Sequence, residues 1–458
     1  VNRIVNSLLK ILHDGSVNYD EDSLQLYSAD ALDVTRALPP GFRVKRPIAI
    51  VRPESEGEVV DVVKFANRKS IPIVPYGGGT GLMGGATTVR AGIVMDLKNL
   101  NSIEVSREDQ MIAAGSGAII KQVDLKAREH GMIFAHDPWS ASYATVGGAI
   151  STNGVGYLAG KYGSMGDQVL GLSAVMPDGR MLDMKPAKKI SAGIDLRELF
   201  IGGEGVFGIV TSAMLRTYPI PESQQIHAYE FGNLEEGYRA VTKLFAAGIR
   251  PTSLDLFEVF DVGADAETRL WLQDEPGTRL YVVFDGLREE VNALSGRTKS
   301  IMESGKELGT DIAEEYWRSR YDIAERYISF IRSKKRSSDI KFDFIQVSIP
   351  SGRLLEFDRV CMRIASKYKI KVQGHGIWQQ PEYYSMNLFE DSAKANDRMY
   401  NSINEMLRYA STLGTIEYCH GIGIRLAHLM DGERIGVLKR IKRALDPNNI
   451  MNPEKLSL

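Results

Sequence analysis

Cysteine is nearly absent: Cys361 and Cys419 are the only two in 458 residues. Two thiols hold no iron–sulfur cluster or all-thiolate zinc site, and they do not build a secreted disulfide framework. A reducing, cytoplasmic location is expected, with peripheral attachment to a membrane left open. Excess charge is missing too. Fifty-six Lys and Arg stand against 58 Asp and Glu, a net charge of −2, which gives no electrostatic ground for nucleic acid as a partner. No apolar run approaches the ~20 residues that span a bilayer, so no transmembrane segment is expected. Val1 to His13 carries charge and periodicity but no signal-peptide core. The rest is ordinary for a globular chain, 43% hydrophobic and 25% charged. The length suggests two or three domains at ~150 residues each.

Glycine, by contrast, is abundant, at 44 residues. After an N-terminal helix, an acidic loop and a break at Pro39-Pro40-Gly41, short β-branched runs alternate with amphipathic helices up to about Pro219. Strands are predicted at Ile48–Val51, Ile71–Val74 and Ile93–Leu97, and helices after the capping-box spacing Ser55–Glu58 and over Ile119–His130. Beyond Ile220 glycine thins out. Helical periodicity over Leu234–Gly248, Leu287–Leu308 and Leu354–Tyr368 alternates with strands at Leu280–Phe284 and Phe342–Ile349. That pattern predicts an antiparallel sheet covered by helices. The fold class is α+β, with domains expected at 1–219 and 220–420 and a returning C-terminal segment at 421–458.

The sharpest motif is Pro75-Tyr76-Gly77-Gly78-Gly79-Thr80-Gly81-Leu82-Met83-Gly84-Gly85. Gly79, Gly81 and Gly84 spell G-x-G-x-x-G, but no helix follows Gly84, as a Rossmann loop would require. Consecutive glycines can still aim backbone N–H groups into an anion nest. Two more glycine-rich stretches, Thr145–Gly156 and Gly202–Thr211, are flanked by strand-like residues. Three such stretches imply backbone lying against a large, elongated diphosphate cofactor.

These loops resemble those of the PCMH-type FAD-binding domain of the vanillyl-alcohol oxidase superfamily. Within it the chain looks most like the FAD-linked D-2-hydroxyacid dehydrogenases, including D-lactate dehydrogenases and glycolate oxidase flavoprotein subunits. The likeness covers nearly the whole chain, including Phe207–Thr211, Cys419-His420-Gly421-Ile422-Gly423 and Asp446–Pro453. It implies a two-subdomain FAD domain and an antiparallel cap domain. It also implies that Tyr76, Gly77, Gly78, Gly79, Thr80, Gly81 and Leu82 cradle the FAD pyrophosphate. Asp137, Thr145, Gly148, Asn153 and Val210 would line the cofactor, and Asn452 would approach the flavin. Relatives that attach flavin covalently through the first loop carry a histidine there; this loop has none, so non-covalent FAD is expected.

The chemistry needs a cation for a carboxylate substrate and a base for its hydroxyl. The resemblance picks Arg320 as the clamp, through its spacing from Trp317; Lys335, in the basic run Arg332–Arg336, is a candidate second anion contact. His420 matches the family's His-Gly-Ile-Gly element and suits the base. His375 matches the first histidine of a family metal motif, in which Glu382 here replaces the second histidine and Cys419 a later glutamate. His375, Glu382 and His420 could together hold a divalent ion, zinc or manganese.

The leading expectation is oxidation of a D-2-hydroxyacid, with electrons passed to a quinone, cytochrome or partner protein. An alkylglycerone-phosphate synthase-like activity is the rival enzyme reading; of that family's three histidines only His420 remains in Tyr418-Cys419-His420. A third reading is a flavin-holding subunit of a larger oxidase. A homodimer is one assembly left open.

Overall fold

Ser55 starts the first long helix by accepting the N–H of Glu58 at 3.2 Å. The glutamate does not complete a capping box, since its carboxylate receives the N–H of Glu54 instead. Val59, Val62, Val63 and Ala66 recur at three- and four-residue steps along Glu56–Lys69 and are fully buried. They cover a sheet in the order Val17–Asn18, Ala49–Val51, Ile93–Asp96 and Ile73–Tyr76, whose last three strands are parallel. Parallel strands are covered on both faces, and Ile93, Val94 and Met95 accordingly have no exposure. The computed structural model describes the chain except residues 1, 14, 33–35, 37, 39, 40, 264–274, 327–340, 391–396 and 431.

A second sheet is antiparallel, in the order Ile103–Ser106, Met111–Gly115, Ile209–Arg216, Val169–Val175 and Met181–Met184. The helix Ile120–Arg128 packs its apolar side, Ile120, Val123 and Ala127, into the core of this unit.

The third sheet has seven strands, all antiparallel: Lys306–Glu307, Ser223–Phe231, Gly277–Gly286, Ser253–Val259, Lys371–Trp378, Tyr383–Glu390 and Lys341–Ser348. Helices Leu234–Ala246, Arg288–Ile301, Leu354–Tyr368 and Arg398–Ser411 share its core. The helix expected over Leu287–Leu308 stops at Ile301, because Lys306 and Glu307 pair with Glu230 and Tyr229 as an edge strand. After Gly432–Leu445, Asp446 accepts the N–H groups of Ile450 and Met451 and turns the tail onto Ile73. The last residues thus reach the edge of the first sheet.

Candidate active site

Three glycine-rich segments converge on one open cleft with about 1220 Å³ of atom-free space. Strand Ile73–Tyr76 delivers the first. A Cβ at Gly78 would stand 2.1 Å from the carbonyl oxygen of Tyr143, and Gly79 has φ +67°. Only glycine suits that approach and that conformation. Among the described residues, no backbone N–H from Gly78 to Leu82 donates to a protein acceptor. Those amides are available to an anion.

The second segment is not the strand-flanked loop that its glycines suggest. Thr145 accepts the N–H of Gly148 at 3.4 Å and caps a short helix, Val146–Thr152, which Asn153 ends in the left-handed region at φ 51°. The third segment turns at Gly205 and feeds the strand Ile209–Arg216, placing Val210 in the cleft wall. Tyr76–Leu82, Thr145, Gly148, Val210, Asn452 and His420 all line this cleft.

Asn452 donates from Nδ2 to the carbonyls of Gly85 at 2.8 Å and Glu204 at 2.7 Å. The loop before His420 is organised by Glu417, whose carboxylate accepts the N–H groups of Tyr418, Cys419 and His420 at 3.1, 2.7 and 2.8 Å. His420 Nδ1 lies 3.7 Å from the same carboxylate without a hydrogen bond, and its ring packs on Phe344. Four buried polar atoms of cleft residues have no hydrogen-bond partner among the described residues: Ser116 Oγ, His136 Nδ1, His420 Nδ1 and Asn452 Oδ1. Each would cost about 1–3 kcal/mol if left unmet. Together with the glycine amides they fit a large polar ligand bearing an anion.

Residues 47–185 match the family described as FAD binding domain, and residues 220–456 match FAD linked oxidases, C-terminal domain. The chain belongs to the FAD-linked oxidases. It is 30% identical to a D-lactate dehydrogenase of Archaeoglobus fulgidus, covering 90% of this chain and 92% of that protein. It is 26% identical to the glycolate oxidase subunit GlcD of Bacillus subtilis, over 96% and 94% of the two chains. In fold it is similar to an alkyldihydroxyacetonephosphate synthase structure, with a TM-score of 0.78 at 18% identity over 99% of this chain and 85% of that one. As an FAD-linked oxidase it is a flavin-dependent oxidoreductase of the D-lactate dehydrogenase and glycolate oxidase type.

Other expected residues of this FAD-linked oxidase lie elsewhere. Arg320 and Asp137 line a second cavity, not the glycine cleft. Arg320 Nε and Nη2 donate to Asp137 Oδ2 at 3.3 and 3.2 Å, and the guanidinium lies 4.1 Å above the Trp317 ring. Tyr321 also donates to Asp137. Burial raises the Asp137 carboxyl, and Arg320 works against that rise. Tyr157 donates to the carbonyl of Arg320 at 2.9 Å and meets Trp378 edge-on, so it stands between Arg320 and the Cys419 cluster. His136 lines both cavities. Asn153 is outside the cleft lining and accepts the N–H of Gly166 at 2.9 Å. Arg318 is an exposed helix residue paired with Glu315. Lys335 lies outside the described residues.

The structure does not bring the expected metal set His375, Glu382 and His420 together. His375 is hydrogen-bonded from Nδ1 to Asp358 at 2.5 Å, and its Nε2 lies 3.2 Å from Glu258. Strand alternation explains its direction: Trp378, three residues on, faces Tyr157, so His375 turns to the opposite face, toward the helix Leu354–Tyr368. Glu382 sits in the turn after that strand and His420 in the cleft. Among the described residues, no group of three or more His, Cys, Asp or Glu is placed to hold a metal ion.

Sequence reasoning missed Asp30, His136, Glu204 and Lys455. Burial pushes His136 down to about 3, so its ring is neutral. Burial pushes Glu204 up to about 7, against the N–H groups of Gly423 and Ile422. Glu204 had a signal, as a lone acid in Gly202-Gly203-Glu204-Gly205. Asp30 and Lys455 had none.

Proposed function

We propose that this FAD-linked oxidase oxidises a D-2-hydroxyacid of the lactate or glycolate type to the 2-oxoacid and passes the electrons to a non-NAD acceptor. The observation that carries this reading is His420 in the wall of the glycine cleft, half-buried, with Nδ1 out of solvent and without a hydrogen bond among the described residues, and its backbone held by Glu417. Bound FAD supplies a two-electron acceptor for the substrate's α-hydrogen. The Gly78–Leu82 amides hold its diphosphate, while Thr145, Gly148, Val210 and Asn452 shape the wall. Non-covalent attachment is part of this reading, since Pro75–Gly85 carries no histidine.

His420 takes the substrate hydroxyl proton as the C–H bond breaks. Glu417 fixes the loop that presents the ring. Arg320 binds the substrate carboxylate by exchanging it for Asp137, a like-for-like swap of one carboxylate for another. The rings of Tyr157 and Trp317 flank the Arg320 guanidinium, and Trp378 packs edge-on against Tyr157. The test is anaerobic mixing of the flavin-loaded protein with D-lactate or glycolate. Bleaching of the yellow absorbance is the expected result; an oxidised spectrum that persists with every 2-hydroxyacid offered overturns the assignment.

A further inference from the structure

The cofactor cleft carries an uneven charge. No lysine or arginine is among the described residues that line it, whereas two buried carboxylates, Asp30 and Glu204, are. Asp30 Oδ2 would lie 3.1 Å from a Cβ at Gly81, so it backs the glycine loop that lines the cleft. Glu204 accepts the N–H groups of Ile422 at 2.6 Å and Gly423 at 2.8 Å, and Oε2 would lie 3.2 Å from a Cβ at Gly85. A diphosphate adds two negative charges to this wall. Backbone amides supply only partial positive charge, and repulsion inside a protein wall is far stronger than in water.

A full positive charge stands behind the wall. Lys455 has no exposure, and its Nζ donates to the carbonyl of Thr87 at 2.8 Å. Thr87 in turn donates its hydroxyl to Asp30 Oδ1 at 3.0 Å. Ammonium and carboxylate therefore share one residue. On the same tail, Asn452 holds the backbone carbonyl of Glu204. Burial raises both carboxyls, and the charge of Lys455 opposes that rise. Burial also brings the ammonium down to about 8, against the pull of Asp30 and Glu204. Lysine is among the side chains least often buried completely, and methionine would fill similar space without the desolvation cost.

We propose that Lys455 is the counter-charge of the cofactor cleft: set in place by the tail, it offsets Asp30 and Glu204 and so lets the glycine cradle accept a dianionic diphosphate. It touches no reacting atom and acts through the wall that it neutralises. The inference rests on the reading of this cleft as the FAD diphosphate site.

The test is titration of flavin-stripped protein with FAD, followed by quenching of flavin fluorescence, so that no turnover is involved. Lys455→Met weakens FAD binding roughly ten- to hundredfold, and Lys455→Arg stays within severalfold of wild type. Adding Asp30→Asn and Glu204→Gln to Lys455→Met restores most of the loss, which a lysine acting only as packing would not allow. Wild-type affinity in Lys455→Met, or a triple variant no tighter than Lys455→Met, overturns the proposal. If Lys455→Met does not fold, Asp30→Asn/Glu204→Gln with Lys455 intact decides: FAD binding tightens, and an unchanged Kd overturns the idea. Wild-type protein that takes up no FAD overturns the diphosphate reading itself, and this proposal with it.

Discussion

Arg425 donates from Nη2 to Asp343 at 2.8 Å, joining the segment after His420 to the outer strand of the seven-stranded sheet. Both side chains are buried, and Arg36 donates to the other oxygen of Asp343 at 2.6 Å. One carboxylate thus holds two guanidinium groups, drawn from the N-terminal and C-terminal parts of the chain. The same region backs the glycine cleft, since Arg425 donates its backbone N–H to Met83 just past the first glycine loop.

Removing that carboxylate should be costly. Asp343→Ala leaves two arginines buried without their acid and should lower the unfolding free energy by about 3–5 kcal/mol. Urea titration monitored by circular dichroism measures the loss. A change under about 1 kcal/mol would mean that the two arginines find other partners.

His420→Ala should slow flavin reduction roughly 10²–10⁴-fold with little change in substrate affinity. Stopped-flow bleaching under anaerobic conditions separates the two quantities. A raised KM with an unchanged limiting rate would place the base elsewhere.

Arg320→Met should raise KM for the hydroxyacid roughly 10–100-fold, as a bidentate carboxylate contact is lost. Asp137→Asn removes the competing charge and should lower KM severalfold in the same assay. Opposite signs are the point of the pair. If both variants leave KM where it was, Arg320 is only a structural partner of Asp137.

Stability should fall on the alkaline side through His375. Burial lowers its pKa, but the hydrogen bond to Asp358 and the nearby Glu258 carboxylate outweigh that and raise it to about 9. A folded-state value above the unfolded 6.5 means the contribution is complete below pH 6.5 and disappears as pH rises through about 9. Melting temperature against pH should therefore decline across that interval, and His375→Gln should flatten the decline.

Both thiols should be silent in the folded protein. Burial raises the Cys361 thiol well above its usual value and pushes Cys419 up to about 12, leaving no thiolate near neutrality. A disulfide reagent should titrate none in native protein and both in denaturant. Rapid reaction of Cys419 would show that the cleft opens beyond the conformation described.

The glycine loops were legible in the sequence because their constraint is local. Gly79 needs a left-handed backbone and Gly78 an absent side chain, and both requirements are written at the positions themselves. Apolar periodicity fixed the helices Glu56–Lys69 and Leu354–Tyr368 for the same reason, since the repeat is contained in the segment. The short helix after Thr145 was hidden by its glycines, which lower helix propensity while tertiary packing holds the turn. Direction and distance were decided only by the tertiary structure. Strand alternation turned His375 away from the cleft and into Asp358, and the end of the helix Thr310–Ser319 brought Arg320 to Asp137, outside the glycine cleft. Asp30, Glu204 and Lys455 meet because the tail folds back onto the first sheet. Residue type and spacing set what each backbone segment can adopt, but charges act through space, and their neighbours come from parts of the chain that no local pattern connects.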